Sequence, residues 1–341
     1  MVALSLREPP NAVPAPVPRR PVAWVLHDGK AGMASQALGL AEATGLPFVE
    51  KALAVHRPWV WLPPQLWRAP LAAVTTSDGP LAPPWPDLVI ACGRNAAMPA
   101  LAIHRASRGA CVAVQVQDPR VGRDEFDLMV VPEHDRWRGS RVAVTLGAIH
   151  RVTPDKLAAE RRRFPRLETL KRPIVGVLIG GPNRAYRLDL ARLGNIADRI
   201  AAAVGAAGGS VVATASRRTG EAGLAALRAR LGALPGEIWD NTGDNPYYAY
   251  LAVADHLLVT ADSVSMVSEA AATGKPVHII ELDGGDAKFA RFHAAMRAAG
   301  VTRPFAGTLD TWSYAPPDDT SRAGAAVRAL VAARRAALAP P

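Results

Sequence analysis

Apolar residues fall in short unbroken runs along this chain, separated by stretches with helical spacing. VAWVL (22–26) reads as a buried strand, HDGKAG (27–32) as a glycine loop, and MASQALGLAEATG as a helix closed by Gly45. FVEKALAV (48–55) follows, and then a Pro/Trp-rich segment, RPWVWLPPQLW (57–67), that fits neither period. Strand-like runs return at DLVIACG (87–93), which precedes the helix-like NAAMPALAIHRAS, and at CVAVQVQ (111–117), DLMVVP (127–132) and VAVTLG (142–147). After the charged stretch 155–173 the same grammar restarts. The strands IVGVLIG (174–180), SVVATAS (210–216), HLLVTA (256–261) and VHIIEL (277–282) alternate with helices near 187–207, 220–232, 246–254 and from Ser265.

Unbroken β-branched runs alternating with helices predict parallel sheets covered on both faces. The expected fold class is α/β, with two doubly wound, Rossmann-like domains at 22–154 and 173–315 joined by a linker at 155–172. A flexible Pro-rich tail is expected at 1–21, and a C-terminal segment, 316–341, carries a long basic helix that crosses back to the first domain. A chain of 341 residues with 49% apolar content has enough material for two cores.

Composition narrows the function. Forty Lys and Arg against 30 Asp and Glu give a formal charge of +10, which favours anionic partners: phosphorylated metabolites, anionic membrane or nucleic acid. Neither a zinc-finger spacing nor an aromatic ribonucleoprotein motif is present, so a nucleic-acid partner is not expected. Cys92 and Cys111 sit inside apolar runs and read as core thiols. No apolar stretch approaches the ~20 residues that span a bilayer, and residues 1–21 lack an apolar signal core. A cytoplasmic location is expected, with peripheral contact at the inner face of the cell membrane suggested by the charge and by Trp59, Trp61 and Trp67; the alternative is that these tryptophans are core or lid residues.

Ligands of open α/β sheets bind beyond the carboxyl ends of strands, so the candidate chemistry lies in strand-to-helix loops. Gly180 and Gly181 permit close backbone approach, with Asn183, Arg184 and Arg187 beside them; the alternative is a plain tight turn. Ser216, Arg217 and Arg218 suit phosphate oxygens, or else form a cap and a solvated Arg pair. In TADSVSMVSEAAATGKP, Ser263 or Ser265 caps a helix whose first turn carries Glu269, beside Asp262; that carboxylate either accepts two ribose hydroxyls or pairs with its own helix. No Asp-x-Asp motif ends a strand, and Asp318 and Asp319 read as solvated, so neither a metal nor a cofactor is expected.

The strings HDGKAGMASQALGLAEATG, QVQDPRVGRDEFDLMVVPEHD, VLIGGPNRAYR, TASRRT and NPYYAYLAVADHLLVTADSVSMVSEAAATGKPVHI resemble the elongated-mitochondria type of mitochondrial fission family over about residues 22–310, a family whose bacterial members are usually labelled glycosyltransferases. The segment 250–277 is also similar to the donor site of GT-B glycosyltransferases. That resemblance implies two Rossmann-like domains facing across a cleft, the second holding a nucleotide sugar. It matches Glu269 to the acid that binds the ribose, Ser263 and Ser265 to the residues facing the diphosphate, and Gly180–Gly181 to the glycine loop. Met33 stands where the GT-B transferase that adds N-acetylglucosamine to the peptidoglycan lipid intermediate has a histidine closing its glycine loop, so that role does not transfer.

For a catalytic base, Asp28 and Asp118 come first among His27, Asp28, Asp118 and His134, although Asp118 before Pro119 also suits a turn. Arg184, Arg187, Arg217, Arg218 and Lys288 are available to offset leaving-group charge. The expected function is metal-independent transfer of a sugar from a nucleotide sugar to an envelope lipid or polysaccharide. The alternatives are a nucleotide-sugar epimerase of the same architecture and a non-catalytic membrane-associated scaffold.

Overall fold

The computed structural model describes residues 21–76 and 78–339, so the tail expected at 1–21 lies, apart from Pro21, outside the described residues. Seven strands form the first sheet: β1 (Ala23–His27), β2 (Phe48–Val55), β3 (Val74–Thr76), β4 (Leu88–Cys92), β5 (Val112–Val116), β6 (Leu128–Pro132) and β7 (Val142–Thr145). Their spatial order is β3-β2-β1-β4-β5-β6-β7, and every pairing is parallel except β2 with β3. Alternate residues of β4 explain why its run is unbroken. Leu88, Ile90 and Cys92 face the core shared with α1 (Ala31–Thr44), while Val89 and Ala91 face the core shared with α2 (Arg94–Ala106).

The second sheet comprises β8 (Ile174–Ile179), β10 (Ser210–Ala215), β11 (Gly236–Ile238), β12 (His256–Thr260), β13 (Val277–Ile280) and β15 (Thr302–Pro304); a separate two-residue ladder pairs β9 (Tyr186–Arg187) with β14 (Asp283–Gly284). The sheet order β11-β10-β8-β12-β13-β15 repeats the first half's order, all parallel. Its helices are α3 (Pro154–Arg163), α4 (Leu190–Ala206), α5 (Gly220–Leu231), α6 (Tyr247–Val253), α7 (Val264–Ala271) and α8 (Ala287–Ala298).

The stretch 155–172, expected to be a linker, is largely helical, made of α3 and a 3-10 turn. Thr153 caps α3 by accepting from the Lys156 N–H, a short 3-10 turn follows at Pro165–Thr169, and Phe164 and Leu167 are buried with Tyr250 and Val253. Apolar residues at 157, 164 and 167 were hidden among charges, yet they tie this stretch to the second sheet. The last helix, α9 (Asp319–Leu338), returns to the first half and packs on α1 through Ala323, Val327 and Val331. Asp319, expected to be solvated, is buried: its carboxylate accepts the Leu146 N–H at 2.7 Å and pairs with Arg322. A chain that crosses between halves twice needs such an anchor at the second crossing.

Three buried histidines make the fold sensitive to acid. Burial pushes His134, His150 and His278 down from the ordinary 6.5 to about 4; Lys288 and Arg291 add to the effect at His134, and His256 adds to it at His278. A group that takes up a proton more readily when unfolded stabilises the fold above its unfolded pKa, and that stability is lost as pH falls from 6.5 towards 4. Each histidine accounts for on the order of 1–3 kcal/mol. The melting temperature is therefore expected to drop steeply across that window and to recover partly in His278→Asn; a flat profile would contradict the assignment.

Candidate functional site

In each sheet the strand order reverses at one place, between β1 and β4 in the first and between β8 and β12 in the second. Loops diverge there and leave a crevice beyond the carboxyl ends of the strands. The β1 crevice holds residues 28–30 and Gly93; the β8 crevice holds Gly180–Gly181 and Asp262. The two crevices face each other, because a Cβ at Gly32, in the first turn of α1, would lie 3.4 Å from Ser265 Oγ in the first turn of α7. Both helix N-termini thus point into one seam, where their free N–H groups and dipoles favour an anion.

On the second-half side, backbone and side chains are locked together. The Gly180 N–H donates to Thr260 Oγ1 at 2.7 Å, and the Gly181 N–H donates to Asp262 Oδ2 at 3.0 Å. Asp262 is buried, and its Oδ2 also accepts from Arg218 at 2.7 Å while Arg218 reaches the Gly181 carbonyl at 2.7 Å. A Cβ at Gly180 would lie 2.2 Å from both Asp262 oxygens, so only glycine fits. Ser216 Oγ donates to the Gly180 carbonyl at 2.8 Å, as does Thr219 Oγ1.

Ser216 and Arg218 therefore brace the glycine turn, although the Arg218 guanidinium stays partly exposed. Arg184, Arg187 and Arg217 are exposed, and their side chains carry no hydrogen bond or ion pair among the described residues, which leaves them available. Asn183 folds its own loop: Oδ1 accepts from Ala185 and Tyr186, and Nδ2 donates to the Asp262 carbonyl at 3.3 Å. Ser263, not Ser265, is the helix cap, its Oγ accepting from the Met266 N–H at 3.3 Å. Ser265 is two residues further on, with its hydroxyl turned to the first half.

Glu269 is the sixth residue of α7, in the second turn and not the first. It is 6% exposed and lies in the seam between halves, where Ser35 Oγ of α1 donates to Oε1 at 3.0 Å and Tyr247 OH of α6 donates to Oε2 at 2.5 Å. Burial raises its carboxyl above the ordinary carboxylate range, against the two hydroxyls and the nearby charges of Lys156 and Arg151. Lys156 stands 4.3 Å over the Tyr248 ring. Ser35, Tyr247 and Lys156 were not singled out from sequence. Ser35 reads as a routine position of an amphipathic helix, and only the clustered hydroxyls of NPYYAY hinted at Tyr247.

On the first-half side, His27 is buried, bonded at 2.9 Å to Glu50 through Nε2 and accepting the Gly29 N–H at Nδ1, so both nitrogens are engaged. Asp28 is ion-paired with the exposed Lys30. Asp118 is held by Arg123 through both oxygens and by the Arg120 N–H at 2.9 Å. Burial works to raise the Asp118 carboxyl, but these partners together hold it below its ordinary value, which fits a turn brace better than a proton acceptor. His134 is likewise unsuited to the cleft: it is buried edge-on against Phe292 of α8, its ring 5.3 Å away, and its carbonyl accepts from Arg291. Lys288 is spent on Asp135 in the same contact. Cys92 and Cys111 are buried, with thiols pushed up by burial. Among the described residues no three His, Cys, Asp or Glu side chains converge on a metal-sized site.

Residues 31–331 match the family model described as mitochondrial fission ELM1. The mitochondrial fission protein ELM1 of Arabidopsis thaliana is 35% identical over 287 residues, which are 75% of this chain and 65% of that protein, so the chain spans about two thirds of its relative's length. Among solved structures, UDP-GlcNAc 2-epimerase of Methanocaldococcus jannaschii in complex with UDP-GlcNAc and UDP superposes with a TM-score of 0.51 at 11% identity, covering 91% of this chain and 99% of the other. The S. aureus MnaA–UDP co-structure gives 0.50 at 13% identity, covering 91% and 88%. At such identities the likeness is one of fold, the GT-B arrangement of two Rossmann-like halves. With the family model spanning most of its length, the chain belongs to the mitochondrial fission ELM1 family.

Proposed function

We propose that this chain binds a nucleotide sugar in the seam between its halves and transfers the sugar to an envelope lipid or polysaccharide acceptor. The observation that carries the reading is Glu269: a buried carboxylate in the seam between the halves, both of its oxygens held by hydroxyls, one from each half. Two hydroxyls on one carboxylate is the pattern a ribose diol would make. The reading places the diphosphate against the glycine turn at Gly180–Gly181 and the N-termini of α1 and α7, where dipoles and the free guanidiniums of Arg184 and Arg217 offset negative charge on the departing nucleotide without a bound cation. In an inverting transfer Asp28 would take the acceptor proton. It stands at the first switch point, and its partner Lys30 is exposed, whereas Asp118 is pinned by a guanidinium.

The test is calorimetric titration with uridine, guanosine and adenosine diphosphates, followed by incubation of the matching nucleotide sugar with and without a lipid acceptor. The reading expects saturable binding, and nucleotide release in proportion to glycosylated product. Conversion of the sugar without any acceptor would make the chain an epimerase, and absence of nucleotide binding would leave a scaffold.

A subsidiary result follows from Ser35. If ribose and Ser35 compete for the same carboxylate oxygen, Ser35→Ala removes the competitor and a net bond worth ~1 kcal/mol. Nucleotide affinity should rise roughly fivefold. A loss of affinity would place Ser35 among the ligand contacts instead.

A further inference from the structure

The exposed apolar surface of this chain is concentrated in one place. Seven large apolar side chains are exposed among the described residues, and four of them, Val60 (54%), Trp61 (69%), Leu62 and Leu66 (57%), lie within one short segment, which makes a patch and not a scatter. The segment is not a loose loop. Trp67, only 4% exposed, donates its indole N–H to the carbonyls of Trp59 at 3.1 Å and Leu62 at 3.2 Å, folding residues 59–66 into two 3-10 turns, the second of which packs on α2. The three tryptophans therefore divide. Trp67 is core, Trp59 is half-buried, and Trp61 is held outward.

Charge and position add to the patch. No acidic residue occurs between 52 and 77, while Arg57 stands 5.4 Å from the Trp61 ring and Arg68 is exposed. An outward indole with a guanidinium beside it and branched apolar side chains around it suits the boundary between acyl chains and anionic headgroups. The segment also leaves β2 at the carboxyl end of the first sheet, since β2 runs parallel to β1 and extends to Val55, past the Ala52 that pairs with His27. That is the end from which residues 28–30 and Gly93 open to the seam.

We propose that residues 56–68 dock this chain on an anionic lipid bilayer, with Trp61, Leu66 and Val60 inserted and Arg57 and Arg68 on the headgroups. Docked so, the first-half crevice opens at the lipid surface, which favours a lipid-linked acceptor; that consequence, though not the docking, rests on the nucleotide-sugar reading above.

Co-sedimentation with phosphatidylcholine–phosphatidylglycerol vesicles tests the docking in the absence of nucleotide. Binding is expected at low salt, strongly reduced with pure phosphatidylcholine, and weakened roughly tenfold by Trp61→Ala and by Leu66→Ala, each of which withdraws one large apolar group from the bilayer. Both side chains are mostly exposed, so an unchanged melting temperature will show that the variants fold. Absence of vesicle binding, or binding equal in wild type and variants, would overturn the proposal. So would a concentration-dependent dimer abolished by Trp61→Ala, which would assign the patch to a second copy of the chain. Nucleotide titration of the same proteins without vesicles keeps the two ideas separate: its failure would remove the lipid-linked transferase reading and leave the docking result standing.

Discussion

Replacing Glu269 with alanine is expected to weaken nucleoside diphosphate binding by at least about tenfold, and by roughly a hundredfold or more if both ribose hydroxyls are lost. The range follows from one or two hydrogen bonds to a charged group at ~1.5–3 kcal/mol each. The seam gives this prediction a sharp competitor. Glu269 also joins the halves through Ser35 and Tyr247, so a residue serving only as a latch would, on replacement, lower the melting temperature and leave nucleotide affinity unchanged or improved. Measuring both quantities on Glu269→Ala and Ser35→Ala separates the roles. A ribose ligand gives opposite signs of the affinity change in the two variants, whereas a pure latch gives the same sign in both.

Asp262→Ala is expected to cost more stability than any other single change near the site. The carboxylate is fully buried and satisfies the Gly181 N–H and the Arg218 guanidinium together. Removing it strands a buried donor and half of an ion pair. Because Arg218 is partly exposed, the cost is discounted from the fully buried case to roughly 2–4 kcal/mol, or about 5–15 °C in melting temperature. Nucleotide binding should fall with it, since the glycine turn loses its brace. Asp262→Asn, which keeps an acceptor oxygen, should recover part of the stability, and Gly180→Ala should produce the binding defect from the other side of the same contact. If Asp262→Ala melts like the wild type, the turn is held by other contacts and Asp262 loses its assigned role.

The two-sheet α/β organisation was legible from sequence because a strand buried on both faces is apolar at most of its positions. β4 and β8 appear in the sequence as unbroken runs, LVIAC and IVGVLI, and both are buried throughout, whereas β2, next to the sheet's edge strand, carries Glu50 and Lys51. Local turn chemistry was equally readable: Gly180–Gly181 after a strand and Ser263 before a helix each depend on neighbours a few residues away. Short edge elements were not. β3 is three residues long and antiparallel, and its pairing is specified by β2 some twenty residues earlier.

What the tertiary structure alone decided is which polar groups are already spoken for. Sequence proposed Ser216 and Arg218 as phosphate ligands by residue type, yet the fold brings both onto the Gly180–Gly181 turn, 36 and 37 residues away in the chain, and ties the serine hydroxyl and two of the three guanidinium nitrogens there. Asp319 looked solvated in a Pro-rich stretch, but it lies against Leu146 because α9 returns to the first half. Ser35 and Glu269, separated by 234 residues, meet only because two crevices close on one another. A side chain's chemistry is fixed by its type, which sequence states outright. Its availability depends on desolvation and on partners supplied by distant segments, and those exist only once the chain has packed.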